Sequence, residues 1–320
     1  MRSIVVSERG GPEKLVLEER PNPEPRPGEI LARTHAVGVN FYDTYVRSGV
    51  YDAKLPFTPG REASGVVEAV GDGVEGFAAG DRVATVDASG SYAEYFRVKA
   101  DVAAHVPDDL DLDVAAAVPL QGLTAHYLAT SIAPPAAGDS VIVHAGAGGV
   151  SLLLTQLLVA RGVRVFTTVS TPEKAALSRE AGASAVFAYE DFPERVREAT
   201  GGEGVAVVYD GVGATTFDGS LKSLRVRGTL ALFGGSSGQV PPFDIQRLNS
   251  GGSLSLVRPS LWHYMRTPEE RAWRWEELFT ALAEGSLRVR IGARFPLADA
   301  AEAHAALEGR RTTGKVILTV

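Results

Sequence analysis

The sequence contains no cysteine, and this absence excludes disulfide bonds, thiolate nucleophiles and metal sites built on thiolate ligands. It also lacks a long apolar run, since the apolar stretch at Leu152–Ala160 is too short to cross a bilayer. The opening residues Met1–Val6 have neither an apolar signal region nor a small-residue cleavage site. These absences predict a cytoplasmic protein with no membrane partner.

Basic residues are scattered along the chain and form no stripe. The formal net charge is −7, whereas binding to a phosphate backbone requires clustered lysine and arginine. Nucleic acid is therefore not a predicted partner. Hydrophobic residues make up 45% of the chain and charged residues 22%, which is typical of globular proteins. At roughly 150 residues per domain, the length of 320 residues predicts two domains.

The hydrophobic pattern changes near Gln121. Before it, short β-branched runs such as Ile30–Val39 alternate with Gly, Pro and Asp, which predicts a compact antiparallel or barrel-like unit. After it, strand-like runs alternate with helical stretches, the pattern of βαβ units in a parallel sheet. The segment Ile291–Val320 returns to strands around a short helix at Asp299–Glu308. The sequence therefore predicts an α/β protein with a discontinuous β-rich outer domain.

A glycine-rich turn, Ala145–Ser151, stands between the apolar strand Val141–Val143 and the apolar helix Leu152–Ala160. Small residues let the backbone approach a pyrophosphate, which the free N–H groups and the helix dipole stabilise. This strand, turn and helix predict a dinucleotide site. Ser151 occupies the last motif position, where glycine or alanine is usual, and we expect it to affect helix packing more than phosphate contact.

The strand that follows this helix ends in hydroxyl groups. An NAD site would place Asp or Glu about twenty residues beyond the motif. Here Val169, Ser170 and Thr171 occur instead, and Lys174 follows. Hydroxyl donors and a cation suit a 2′-phosphate, so the sequence favours NADPH over NADH. The alternative is that these residues have only structural roles: Thr171 is a helix N-cap before Pro172, and the Lys174 side chain is solvated.

Several separated motifs along the chain occur together in one family. They are Gly38–Tyr45, Pro59–Gly65, Ala79–Val83, Gly122–Ala125, the glycine-rich turn, Tyr209–Asp210, Phe233–Gly238 and Arg258–Leu261. Together they resemble the zinc-independent, zeta-crystallin-like quinone oxidoreductases of the medium-chain dehydrogenase/reductase superfamily. The resemblance covers nearly the full length. It implies a GroES-like β-rich catalytic domain formed by residues 1–120 and 258–320, and a Rossmann domain with a doubly wound parallel sheet at 121–257.

The resemblance also implies that no metal is bound. Zinc-dependent relatives have a cysteine near position 40 and a histidine at position 61, whereas Asn40 and Arg61 occur here. A tetrahedral zinc site with thiolate ligands cannot form without cysteine.

The resemblance implies binding roles position by position. For the cofactor it assigns an adenosine 2′-phosphate group (Ser170, Lys174, Tyr189, Arg310), a pyrophosphate group (Gly148, Gly149, Val150) and a nicotinamide group (Phe41, Tyr42, Asp43, Thr124, Tyr127, Phe233, Gly234, Arg258). For the substrate it assigns Asn40, Asp43, Tyr45 and Tyr51. Structural alternatives are a helix start capped by Asn40 and Asp43, tyrosines that cover the core, and strand-end packing for Tyr189.

The implied activity is reduction of a quinone by NADPH without zinc. No catalytic residue is assigned, because a quinone can take its proton from solvent, although Tyr45 and Tyr51 are candidates for orienting the carbonyl. The resemblance leaves both two-electron reduction and one-electron reduction to the semiquinone open. Two other functions also remain open: reduction of an enoyl or other α,β-unsaturated carbonyl compound, and an NADPH-binding structural or sensor protein without turnover. The strand-like segment Leu254–Val257 and the resemblance predict a homodimer.

Overall fold

The structure is a computed structural model that describes residues 1–320. Its strands are β1 (Arg2–Val5), β2 (Val16–Glu19), β3 (Glu29–Val39), β4 (Ala63–Val70), β5 (Arg82–Thr85), β6 (Tyr95–Lys99), β7 (Ala103–His105), β8 (Ser140–Val143), β9 (Arg164–Thr168), β10 (Ala185–Phe187), β11 (Val205–Asp210), β12 (Leu224–Leu232), β13 (Ser255–Val257), β14 (Ile291–Pro296) and β15 (Lys315–Thr319).

The helices are α1 (Phe41–Ser48), α2 (Leu112–Ala117), α3 (Pro119–Ser131), α4 (Gly149–Ala160), α5 (Pro172–Glu180), α6 (Phe192–Ala199), α7 (Phe217–Ser223), α8 (Gln246–Ser250), α9 (Pro268–Ala283) and α10 (Ala300–Glu308). Short 3-10 helices span Pro12–Lys14, Ala100–Val102, Leu261–Tyr264 and Leu297–Asp299. None of the helices combines the length and the apolar character needed to cross a bilayer.

The first compact unit comprises Met1–Gln121, Thr267–Gly285 and Val289–Val320. Its main sheet has the order β14-β15-β3-β4-β5-β7, with β6 also paired to β3, and a separate ribbon joins β1 to β2. The pairing is antiparallel, as the alternating pattern predicts, except that β14 and β15 run parallel. The long strand β3 therefore organises this unit, since it pairs with β15, β4 and β6.

The second compact unit comprises Gly122–Arg266 and Ser286–Arg288. Its six strands lie parallel in the order β10-β9-β8-β11-β12-β13. Renumbered within the unit, this is the doubly wound order 3-2-1-4-5-6, so the predicted Rossmann sheet is confirmed. The strand order reverses between β8 and β11, the place where such sheets bind ligands beyond the carboxyl ends of their strands. The domain boundaries 1–120, 121–257 and 258–320, which come from the sequence, remain a prediction.

Local capping explains where several helices begin. Thr171 Oγ1 accepts a hydrogen bond from the Lys174 backbone N–H at the start of α5, and Thr267 Oγ1 accepts one from the Glu270 N–H at the start of α9. Both helices have proline in the first turn, where the missing N–H costs nothing. On α9, Trp275 and Leu278 are buried, and their spacing of three residues places them on one side of the helix.

Candidate active site

The glycine-rich turn joins β8 to α4 at the point where the strand order reverses. The strand is fully buried at Val141–Val143. The N-cap of α4 is Gly148, which has extended geometry (φ −77°, ψ 160°) and no side chain to cap the helix. The N–H groups of the first turn of α4 therefore receive no side-chain cap. A helix N-terminus of this kind attracts an anion.

Two glycines of the turn face different surroundings. A Cβ on Gly146 would lie 2.6 Å from Ser178 Oγ and 2.7 Å from Thr167 Cβ, so this glycine permits the turn to pack against β9 and α5. The Gly146 N–H also donates to the Thr168 carbonyl at 2.8 Å. A Cβ on Gly148 would meet only the Ala145 carbonyl oxygen closely, at 3.1 Å. Close packing in the interior therefore requires glycine at position 146, whereas there is space around position 148 for a ligand to approach.

Ser151, the unusual residue of the motif, is buried in the first turn of α4. Its hydroxyl donates a hydrogen bond of 2.8 Å to the carbonyl oxygen of His144, across the whole turn. The sequence predicts an effect of this serine on helix packing, and the structure shows in addition that its hydroxyl joins the two ends of the turn. A glycine here would lose that hydrogen bond.

Asp210 at the end of β11 organises the neighbouring strand ends. Its Oδ1 accepts from the N–H groups of Val212 at 2.8 Å and Gly213 at 2.9 Å. The carbonyl of Asp210 accepts from the N–H groups of Phe233 at 2.8 Å and Gly234 at 3.3 Å. The carboxylate therefore fixes the loop that follows β11, and the backbone carbonyl fixes the loop that follows β12, at the same end of the sheet as the glycine-rich turn. Sequence reasoning gave Asp210 no role beyond its place in a family motif.

The residues expected at the adenosine 2′-phosphate lie on several segments. Ser170 is exposed directly after β9, Lys174 is half-buried in the first turn of α5, and Tyr189 is half-buried after β10. Arg310 belongs to the first compact unit, where it is exposed just after α10 and has a positive φ of 55°. The capping role of Thr171 is confirmed, and this leaves the hydroxyl of Ser170 as the candidate phosphate donor. The four phosphate contacts remain predictions.

The residues expected near the nicotinamide have mixed exposure. Thr124 and Tyr127 are buried on α3, and the ring of Tyr127 stacks on Tyr264 with a centroid distance of 4.6 Å and an interplanar angle of 5°. Phe233 and Gly234 are half-buried beyond β12, and Arg258 is exposed beyond β13. Tyr127 has a clear packing role in the structure, and the cofactor contacts of this group remain predictions.

Aromatic rings from α1 and the segment after it form one cluster in the first unit. The Tyr51 ring lies 5.6 Å from Tyr42 and 5.6 Å from Tyr45, edge-on to the latter, and Phe41 lies 6.3 Å from Tyr45. The Arg61 guanidinium lies over the Tyr42 ring at 5.7 Å. The structure therefore brings together four of the residues that were predicted to face the nicotinamide or the substrate, and it presents flat, apolar surfaces with hydroxyl groups at their edges.

Asn40 and Asp43 are buried, and their polar atoms have partners inside the protein. The Asn40 N–H donates to Asp43 Oδ2 at 2.9 Å, which confirms the alternative that these residues begin a helix. The Asn40 amide donates to Glu62 Oε2 at 2.6 Å and accepts from Lys315 Nζ at 2.8 Å. Glu62 and Lys315, both fully buried, form an ion pair. Contact of Asn40 and Asp43 with a substrate remains a prediction.

A hydrogen-bonded chain leads from Asp43 to the surface. Tyr92 OH donates to Asp43 Oδ2 at 3.2 Å and contacts His304 Nε2 at 2.9 Å, while Arg47 donates to His304 Nδ1 at 2.9 Å and to Glu308 at 2.7 Å. Burial raises the pKa of Asp43 to about 7, although the Asn40 N–H opposes this shift. Burial, with a further contribution from Arg47, lowers the pKa of His304 to about 3. His304 is therefore a neutral ring at physiological pH.

The side chains at positions 40 and 61 do not suit zinc. Both ends of the Asn40 amide are engaged by Lys315 and Glu62, and Arg61 carries a positive charge that pairs with Asp87 at 3.4 Å. A guanidinium offers no lone pair to a metal. No group of three or more His, Asp or Glu side chains in the chain is arranged to hold a metal ion.

Two family models match the chain. The one described as an alcohol dehydrogenase GroES-like domain matches residues 26–108, and the one described as a zinc-binding dehydrogenase matches residues 149–275. The first match lies in the β-rich unit. The second includes most of the parallel sheet. Both parts of the predicted fold class, GroES-like and Rossmann, are thus confirmed.

Full-length relatives give the same assignment. A quinone oxidoreductase from Pseudomonas aeruginosa is 43% identical over 97% of this chain and 96% of its own length. A 2-haloacrylate reductase from a Burkholderia species is 40% identical over 99% of this chain and 98% of its own length. The solved structure of a mycobacterial protein complexed with NADPH is 55% identical, covers 100% of both chains and superposes with a TM-score of 0.98. The chain belongs to the zinc-independent quinone oxidoreductases of the medium-chain dehydrogenase/reductase superfamily.

Proposed function

We propose that this protein is an oxidoreductase that uses NADPH to reduce a quinone without zinc. The observation that carries the proposal is the uncapped helix start at Gly148, placed where the strand order of the Rossmann sheet reverses. Its relative from Pseudomonas aeruginosa is a quinone oxidoreductase, and the mycobacterial structure contains NADPH. The Pseudomonas relative supports a quinone as the electron acceptor, and the mycobacterial structure supports NADPH as the cofactor.

The turn fits the pyrophosphate of NADPH. Backbone N–H groups at Gly149 and Val150 begin α4, and the absence of a side chain at Gly148 allows close approach. Ser170 and Lys174 lie at the start of the next crossover and would bind the 2′-phosphate through a hydroxyl and a cation. The residues of the second unit thus supply binding and orientation, and NADPH supplies the hydride when it is bound.

The aromatic cluster of the first unit would hold the acceptor. The rings of Tyr42, Tyr45 and Tyr51 offer flat contact area, and their hydroxyl groups can orient a carbonyl oxygen by hydrogen bonding. A flat ring with two carbonyl oxygens matches this chemistry. Reduction of the quinone to the quinol consumes one hydride and one proton, and solvent can provide the proton. No protein acid is assigned.

Steady-state oxidation of NADPH with a panel of acceptors tests the proposal. The panel should contain benzoquinones, naphthoquinones, 2-haloacrylates and simple enones, each with NADPH and then NADH. We expect turnover with quinones and a higher kcat/KM for NADPH than for NADH. Failure of every quinone would overturn the assigned acceptor, and equal kcat/KM values would overturn the assigned cofactor preference.

A second candidate function is reduction of an activated carbon–carbon double bond. The Burkholderia relative is a 2-haloacrylate reductase at 40% identity, and a hydride can be delivered to a β-carbon from the same nicotinamide position. The same panel separates the two: turnover confined to enones or 2-haloacrylates would favour this second function.

We further propose that the protein is a cytoplasmic homodimer that pairs along β13. This strand is the last one of its sheet, and exposed apolar side chains occur nearby at Val226 (71% exposed) and Ile245 (68% exposed). Light scattering at micromolar concentration should give twice the chain mass. A mass equal to one chain would contradict the dimer.

A further inference from the structure

The ring of His144 occupies the point where three strand ends of the Rossmann sheet meet the glycine-rich turn. It is fully buried, directly after β8. Its Nδ1 lies 2.8 Å from Thr168 Oγ1 at the end of β9, and its Nε2 lies 2.9 Å from Ser220 Oγ on α7. Ser220 in turn donates to Asp210 Oδ2, at the end of β11, at 3.0 Å. One imidazole thus links β8, β9 and β11.

The direction of these hydrogen bonds follows from chemistry. An ionised carboxylate only accepts hydrogen bonds, so the Ser220 hydroxyl donates its one proton to Asp210. The Ser220 oxygen must therefore accept from His144 Nε2–H. A neutral imidazole that donates through Nε2 accepts through Nδ1, so Thr168 donates to Nδ1. Burial lowers the pKa of His144, although the Asp210 carboxylate opposes this shift, and the ring is therefore neutral. A single tautomer satisfies the whole network.

The same residues hold the backbone of the turn. The His144 carbonyl accepts from Ser151 Oγ at 2.8 Å, which joins the residue before the turn to the last residue of the turn. The Thr168 carbonyl accepts from the Gly146 N–H at 2.8 Å, so the residue whose hydroxyl contacts the ring also anchors the turn. Phe192 packs edge-on against the imidazole with a centroid distance of 4.8 Å. The position of the ring therefore determines the position of the turn.

We propose that His144 is a positioning residue for cofactor binding, whose neutral ring, held between Thr168 and Ser220, sets the turn Ala145–Ser151 in the geometry that accepts a pyrophosphate. The inference rests on the proposed function only in that NADPH is the ligand. His144 touches no phosphate in this account and acts through the backbone that it supports.

The decisive variant is His144→Phe, which keeps a flat ring and removes both hydrogen bonds. Binding should be measured by fluorescence titration with NADPH and by calorimetry with adenosine 2′-monophosphate, which has the 2′-phosphate but no pyrophosphate. We expect the NADPH Kd to rise about tenfold, equivalent to about 1.4 kcal/mol, and the Kd of the monophosphate to change less than twofold. In steady state, KM for NADPH should rise with little change in kcat.

An NADPH Kd within twofold of the unaltered protein would overturn the proposal. So would an equal loss of affinity for both ligands, since this would indicate general disorder of the unit. If His144→Phe does not fold, Thr168→Val provides the test, because it keeps the backbone carbonyl and the shape of the side chain and removes the hydroxyl that bonds His144. It should raise the NADPH Kd at least threefold, and an unchanged Kd would overturn the proposal.

The tautomer provides a test that needs no cofactor. Nitrogen-15 NMR of the histidine rings in the unaltered protein, with the His144 signal assigned by its absence in His144→Phe, should show His144 protonated only at Nε2. The Ser220→Ala variant should perturb that signal, whereas the signal of the buried His304 should stay unchanged. A His144 ring protonated at Nδ1 would contradict the proposed network. Failure of the proposed function has a different signature, because the unaltered protein would then fail to bind NADPH or to reduce quinones.

Discussion

Substitution of Gly146 or Gly148 by alanine should separate the glycine that is needed for stability from the glycine that is needed for NADPH binding. At Gly146 the new Cβ would lie 2.6 Å from Ser178 Oγ and 2.7 Å from Thr167 Cβ, inside a buried hydrogen bond between those two side chains. Overpacking of this kind costs about 1–3 kcal/mol. We therefore expect Gly146→Ala to lower the free energy of unfolding by that amount.

At Gly148 the effect should appear only in binding. Its φ of −77° is allowed for alanine, and the nearest atom to a new Cβ is the Ala145 carbonyl oxygen at 3.1 Å, which needs to move only slightly. The free energy of unfolding without ligand should change by less than about 1 kcal/mol. The Cβ would, however, occupy the space through which the pyrophosphate approaches α4, so the NADPH Kd should rise at least about tenfold.

Two measurements on each variant decide the matter: chemical denaturation of the ligand-free protein and fluorescence titration with NADPH. A Gly148→Ala variant that binds NADPH within twofold of the unaltered protein would refute the placement of the pyrophosphate. A loss of stability at Gly148 equal to that at Gly146 would instead refute the packing difference between the two positions.

Three further predictions follow from single side chains. Lys174→Ala should reduce the preference for NADPH over NADH about tenfold, measured as the ratio of kcat/KM values, because the 2′-phosphate loses its cation; an unchanged ratio would contradict the role of Lys174. Tyr209 has a buried hydroxyl without a partner, so Tyr209→Phe should raise the free energy of unfolding by about 1 kcal/mol, and a loss of stability would contradict this. Asp43 has a pKa of about 7 in the folded protein against an ordinary 3.8, so the folded state binds more protons between these values and the contribution of Asp43 to stability falls as pH rises. Asp43→Asn should remove this loss. In denaturant titrations, the free energy of unfolding of the variant should therefore increase relative to that of the unaltered protein by a few kcal/mol as the pH rises from about 4 to 7. Parallel pH profiles of the two proteins would contradict this.

The pH range of the last prediction also contains an opposing effect. The pKa of His304 is lowered from 6.5 to about 3, so the unfolded chain takes up a proton before the folded protein does. The contribution of His304 is therefore present above about pH 6.5 and is lost as the pH falls towards 3. Because Asp43→Asn leaves His304 in place, the variant should show a clearer loss of stability in acid than the unaltered protein.

Features that depend on neighbouring residues could be predicted from the sequence. The strand before the glycine-rich turn, the cap at Thr171 and the parallel Rossmann sheet all follow from local spacing and are present in the structure. The short helix α2 went unpredicted, since the six residues Leu112–Ala117 are too few to display a helical period.

Contacts between distant residues could not be predicted. Lys315 reaches Asn40 across 275 positions, and Arg47 reaches His304 across 257. Only the folded β-rich unit places these side chains together, so the buried network around Asp43 had no signal in the sequence. The aromatic cluster was partly predictable, because Tyr42 and Tyr45 lie three positions apart on α1 and therefore on one side of the helix.

His144 illustrates the same limit inside a well-recognised motif. Its position before the turn was visible, but its partners Thr168 and Ser220 lie 24 and 76 positions away. The sequence also gave no reason to expect that the hydroxyl of Ser151 closes the turn onto the His144 carbonyl. A histidine that directly follows an apolar strand and precedes a glycine-rich turn is the sequence signal that indicates such a network.

The most direct test of the central claim is an anaerobic single-turnover experiment with the unaltered protein, chelator-treated and mixed with NADPH and 1,4-benzoquinone. We predict rapid loss of the NADPH absorbance that depends on quinone concentration, with one quinol formed for each NADPH consumed and no requirement for added zinc. A protein that binds NADPH but shows no quinone-dependent oxidation, or that turns over only after zinc is supplied, would contradict the account.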